Sequence, residues 1–158
     1  VWSQFFDIQK TTADRSEIWG VMVNNADDRF LVRFRCPARR DGKCTWDYIE
    51  PLPKDIGGTV VFAPDGGIYL YTYLSKRLSY FDRETNKFYD LGIPRDDQRH
   101  TSLVIYTAVF ASDGTLYLGG VMDIPEEKVK ETGYAKGVLG FYRILPEDLT
   151  AAIKEVRK

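Results

Sequence analysis

The chain repeats itself. Val61-Phe62-Ala63-Pro64-Asp65-Gly66-Gly67-Ile68-Tyr69-Leu70 returns 48 residues later as Val109-Phe110-Ala111-Ser112-Asp113-Gly114-Thr115-Leu116-Tyr117-Leu118. A repeat of this period implies stacked supersecondary units, each too small to bury its own apolar faces. Asp-Gly between two apolar runs marks a hairpin turn, because glycine enters the positive-φ region at little cost. Each unit then continues into another apolar strand, Leu78 to Asp82 in the middle copy and Val138 to Tyr142 in the last.

The middle copy reads as four short antiparallel strands: Thr59 to Ala63, Ile68 to Tyr73, Arg77 to Phe81 and Lys87 to Leu91, with a polar turn over Asp82 to Asn86. Side chains alternate with period two, so Ile68, Leu70 and Thr72 share one face and Tyr69, Tyr71 and Tyr73 the other. Both faces are largely apolar, which requires a neighbour on each side. A degenerate first copy takes Ile18 to Val23 as strand one, Asn24 to Asp28 as a turn and Arg29 to Cys36 as strand two. Thr45 to Ile49 is then the counterpart of Lys87 to Leu91. The last copy carries an insertion from Val121 to Lys136, whose charge run Glu126 to Glu131 reads as a solvated loop or short helix.

After Ile144 a helix replaces the fourth strand. Pro146 suits a first helical position, and Glu147 and Asp148 complement the helix dipole. Leu149, Ala152, Ile153 and Val156 form one apolar stripe. No capping side chain stands directly before Pro146. The expected organisation is one all-β domain over 1–158, with approximate repeats 16–53, 57–94 and 104–145 and a C-terminal helix over 146–158.

Phe62 to Leu70, Arg77 to Asn86 and Tyr89 to Gly92 resemble a blade of the β-propeller superfamily. NHL-repeat, gluconolactonase-like and virginiamycin-lyase-like proteins are similar members. The resemblance covers Gly57 to Ile144 well and Ile18 to Leu52 weakly. It implies four-stranded blades and no single activity, since such blades serve scaffolds, lectins and enzymes alike. Gluconolactonase-like enzymes hold a metal with carboxylate and amide side chains from several blades, and those ligands do not map onto this chain.

Three blades fall short of the roughly four to eight of a closed ring. An open arc would expose two apolar faces, more than a soluble monomer tolerates. The expectation is a homo-oligomer, with two copies making a six-bladed ring, or a longer propeller whose other blades are supplied elsewhere. A third arrangement covers the open faces with Trp2 to Ile8 and the terminal helix.

Charge and motifs narrow the chemistry. A net charge of -1 argues against nucleic acid as a partner. Arg33, Arg35, Arg39, Arg40 and Lys43 form one basic concentration, read first as a charged edge strand that blocks unwanted pairing. No apolar run approaches the ~20 residues of a membrane helix, so no membrane partner is expected. The chain opens Val1-Trp2-Ser3, without Met or a leader pattern, which reads as a processed or trimmed chain or a fragment.

Phosphate-binding glycine loops, nucleophile elbows and Cys-x-x-Cys are absent from the sequence, and neither cofactor nor metal is expected. Asp82, Glu84 and Asn86 begin like a calcium loop, but Lys87 and Ile93 occupy the places that need Gly and Glu, so a turn is expected. Two cysteines and one histidine cannot make a four-ligand zinc site. Cys36 and Cys44 bracket a loop between strand-like segments. They either staple a hairpin, implying an extracellular or periplasmic setting, or remain two free thiols.

The single histidine, His100, lies in the connection into the last repeat, where propeller loops open on the axial face. The candidate ligand-binding residues are Arg40, Tyr73, Lys76, Arg99, His100 and Tyr106. The leading functional expectation is a non-catalytic binding module presenting axial loops to a protein or glycan. A lyase or hydrolase with an axial active site, with His100 as base, and a structural subunit assembling through exposed blade faces are the alternatives.

Overall fold

The computed structural model describes residues 3–11, 15–24, 26, 28–37, 42–53, 59–71, 76–95, 102–123, 127, 130–131 and 137–158. These form three antiparallel sheets. The first contains β1 (Ser3–Thr11), β2 (Arg15–Val23), β3 (Arg29–Pro37) and β4 (Thr45–Pro51). The second contains β5 (Thr59–Phe62), β6 (Ile68–Tyr71), β7 (Leu78–Asp82) and β8 (Lys87–Gly92). The third contains β9 (Ser102–Phe110), β10 (Leu116–Asp123) and β11 (Gly137–Ile144), followed by helix α1 (Pro146–Val156). In every sheet each strand pairs with its neighbour in sequence. The first strands of adjacent sheets also approach one another, β1 beside β5 and β5 beside β9.

The repeat holds at atomic detail. In the β5–β6 turn the Gly66 N–H donates to the Ala63 carbonyl, Gly66 takes φ +88, and the Asp65 carboxylate accepts the Gly67 N–H at 2.8 Å. In the β9–β10 turn the Gly114 N–H donates to Ala111, Gly114 takes φ +86, and Asp113 accepts the Thr115 N–H at 2.9 Å. Both turns need a left-handed residue after the aspartate, which glycine supplies without strain.

The second sheet is covered on both faces. Val60, Ile68, Leu70 and Phe81 pack with Trp19, Val21, Leu31 and Leu52 of the first sheet and its exit. On the opposite face Val61, Tyr69, Tyr71 and Leu78 pack with Ile105, Leu116, Leu118 and Tyr142 of the third, and Leu149 of α1 joins them. All four residues of β6 are buried, as the apolar character of both its faces requires. Full burial of Ile68 and Leu70 contributes about 1.5–3 kcal/mol each.

Three expectations need correction. Ile18 to Val23 is not the opening strand of the first unit: it lies within β2, and Ser3–Thr11 pairs with it from Ser3↔Val23 to Thr11↔Ser16. The N-terminal stretch therefore extends a sheet edge instead of covering a face. Arg33 and Arg35 do not lie on an edge strand either, since β3 sits between β2 and β4. The Arg33 guanidinium instead lies 5.4 Å from the centroid of the buried Trp19 ring, and Arg83, from the β7–β8 turn, lies 5.0 Å from it. Finally, α1 does not cover the outer face of the third sheet. It packs between sheets, with Leu149 buried and Ile153 against the core shared by the second and third.

Cys36 and Cys44 form a disulfide, extending the β3–β4 hairpin one step beyond the Arg35↔Thr45 pair. Such a bridge is consistent with an extracellular or periplasmic setting. Among the described residues, no helix is long and apolar enough to cross a membrane.

Candidate functional site

Of the candidate ligand-binding residues, Arg40, Tyr73, Arg99 and His100 lie outside the described residues. Lys76 precedes β7 with φ +59, a left-handed backbone position. Its neighbour Arg77 is held across the sheet by Asp90, with Nε donating at 2.8 Å and Nη2 also in contact. Tyr106 is 52% exposed on β9. Lys76 lies on the second sheet and Tyr106 on the third. Tyr69 and Tyr71 belong to the core, whereas Tyr117 stands exposed on the third sheet. Asp82 to Asn86 forms a plain turn, with the Asp82 carboxylate accepting the Glu84 N–H.

Three features stand out in the structure. The first is the outer face of the third sheet. Leu116 and Leu118 point inward, so the alternation of β10 turns Tyr117 and Val121 outward. Register sets Val109 and Arg143 beside Tyr117, Thr107 and Phe141 beside Gly119, and Leu139 beside Val121. Leu139 is 80% exposed and Phe141 78%, and Val109 and Tyr117 are exposed with them. The missing Cβ of Gly119 leaves room for the Phe141 ring to lie against the strand.

The second is the docking of α1 onto the second sheet. Arg157, just past the helix, places Nη2 2.8 Å from the buried Asp82 carboxylate. The same guanidinium lies 5.4 Å from the Tyr80 ring centroid and donates to its hydroxyl. Burial pushes the Asp82 carboxyl up. The N–H of Glu84, the hydroxyl and N–H of Thr85 and the charge of Arg157 outweigh that and hold it below the ordinary carboxylate range. A carboxyl so depressed stabilises the fold above its ordinary pKa, and this contribution is lost as pH falls through the lowered value. The melting temperature of Asp82→Asn is therefore expected to fall below that of the parent at about pH 7 and to converge on it towards about pH 2. Asp90 and Asp113 are also held low, but both proteins share them, so they leave the difference unchanged. A gap independent of pH would show that Asp82 contributes through shape and not charge. Burial, aided by Asp65 and Tyr80, drives the Tyr69 phenol upward, so it stays neutral across the physiological range.

The third feature is a pair of clefts on either side of α1. One, of about 380 Å³, is bordered by Tyr69, Tyr80 and the basic end of the helix. The other, of about 420 Å³, lies between α1, the β7–β8 side of the second sheet and the end of β11. Among the described residues, no group of three or more His, Cys, Asp or Glu side chains could hold a metal ion.

No family model matches the sequence, and no curated protein matches it. Among solved structures, virginiamycin B lyase from Staphylococcus aureus is similar at a TM-score of 0.34 and 11% identity. The alignment covers 91% of this chain and 46% of that one, so the chain spans about half the length of that protein.

Proposed function

We propose that this chain is a non-catalytic interaction module of β-propeller type, and that it completes its stack of sheets with a second copy of itself. The observation that carries this reading is the outward face of the third sheet, where Leu139 and Phe141 leave most of their surface in water. Contiguous apolar surface of this kind marks an interaction site. At the other end of the stack the first sheet carries an exposed Trp46 opposite the half-buried Phe34. One copy's first sheet laid on another's third removes an apolar face from each. Two copies related by a two-fold axis satisfy both faces at once and close a ring of six sheets. That number lies within the roughly four to eight blades of known rings. The axial loops of such a ring would present the ligand surface, for a protein or a glycan.

Light scattering tests the assembly. The parent is expected at twice the chain mass of 18.2 kDa. The double substitution Leu139→Glu, Phe141→Glu is expected to give a folded chain at the single mass. A parent that stays monomeric at tens of micromolar overturns the reading, and so does a dimer indifferent to both substitutions.

A further inference from the structure

The larger cleft beside α1 has the composition of a small-molecule site. Its floor is aliphatic: Leu78 and Leu91 from the second sheet, Ile144 at the end of β11, and Leu149 from the helix. Two arginines from separate elements border it, Arg95 just after β8 and Arg143 on β11. Both arginines are exposed, and neither makes an ion pair or side-chain hydrogen bond among the described residues. This contrasts with Arg77 and Arg157, whose guanidinium groups are held by Asp90 and Asp82. Asp148 is the carboxylate on the lining, so the three charged side chains sum to a net positive rim. The volume, about 420 Å³, lies within the range that encloses small organic ligands.

We propose that this cleft binds a small amphipathic carboxylate, with an apolar body on the aliphatic floor and its carboxylate held by Arg95 and Arg143. Arginine presents a planar fork of donors that matches a carboxylate, and a charge-assisted pair is stronger than a neutral hydrogen bond. The floor supplies what a bare anion cannot use, so inorganic phosphate is expected to bind poorly. The site does not depend on assembly through the third sheet's outer face: Arg143 stands at the border of that face beside Tyr117, but the floor residues belong to the core or pack against it.

Octanoate, octan-1-ol and inorganic phosphate are the probes, titrated into the whole chain by calorimetry. Octanoate is expected to bind at least about tenfold more tightly than octan-1-ol. Arg95→Gln and Arg143→Gln are each expected to weaken octanoate about tenfold and leave octan-1-ol unchanged. Ala152→Trp, which fills the cleft from the helix side, is expected to abolish binding of both. An unchanged melting temperature in the two glutamine variants separates lost affinity from lost fold. The proposal is overturned if octanoate fails to bind, if it binds no better than octan-1-ol, or if its affinity ignores both arginines. Phosphate binding as tightly as octanoate, with the same arginine dependence, also overturns it.

Discussion

Phe81→Ala is expected to cost about 4 kcal/mol of folding stability. Phe81 is 1% exposed and lies opposite Ile68, with its ring 4.8 Å from Phe88 and 6.3 Å from Trp19. It thus forms part of the joint between the first and second sheets. Removing the ring takes away its transfer free energy and leaves a cavity between two flat layers, which cannot collapse without shifting a whole sheet. In a chain of this size the loss corresponds to a fall in melting temperature of roughly 8–16 °C. Denaturant unfolding, with midpoint and slope measured separately, checks it. Phe88→Ala, at a half-buried position, is expected to cost less. A loss for Phe81→Ala below about 1.5 kcal/mol would show that these sheets do not stack through this residue.

Gly120→Ala is the second large effect, expected at about 3 kcal/mol or slightly more. A Cβ at Gly120 would lie 1.9 Å from the Val104 carbonyl oxygen, at the register shift where β9 and β10 change pairing. A backbone carbonyl fixed in a ladder cannot move aside as a side chain can. Gly119 supplies the control, because its added Cβ would meet the Phe141 ring and the Thr107 methyl, both at 2.9 Å. Those groups face solvent and can rotate, so Gly119→Ala is expected to cost about 1 kcal/mol. Thermal melts of both variants measure the difference. Equal tolerance at the two positions would contradict the close approach of β9 and β10 at the bulge.

The sequence made some of this legible for identifiable reasons. The Asp-Gly turns announce themselves because the conformation after the aspartate excludes most other residues. The second sheet is readable because both faces of Ile68–Tyr71 are apolar, and such a strand has no solvent side. The helix after the third unit is legible because Pro146, the acidic first turn and the apolar stripe agree. The first unit reads one strand out of step, since Thr11 to Asp14 offers neither Gly nor Pro. Without either, Ile18 looks like a beginning.

The basic cluster misled in another way. Arginines alternating with Phe34 suggest a solvated edge, but nothing local indicates that Trp19 waits on the adjacent strand beneath Arg33. Nor does any local pattern reveal that Arg95 and Arg143 border one cleft, because β9, β10 and most of β11 separate the two in sequence. The partnership of Asp82 with Arg157 spans even more of the chain.

That last partnership changes how the molecule is tied together. The chain leaves the second sheet after β8, builds the whole third sheet, and comes back to the second sheet through α1 and Arg157. The third sheet is therefore an arch with both feet on the same pier. A force on the C-terminus reaches the Asp82 anchor before it reaches any strand of the third sheet. At the other end β1 forms the edge of the first sheet and lies beside β5 of the second. Under load the two ends should yield differently, the first sheet unzipping strand by strand from β1 and the third holding until its anchor lets go.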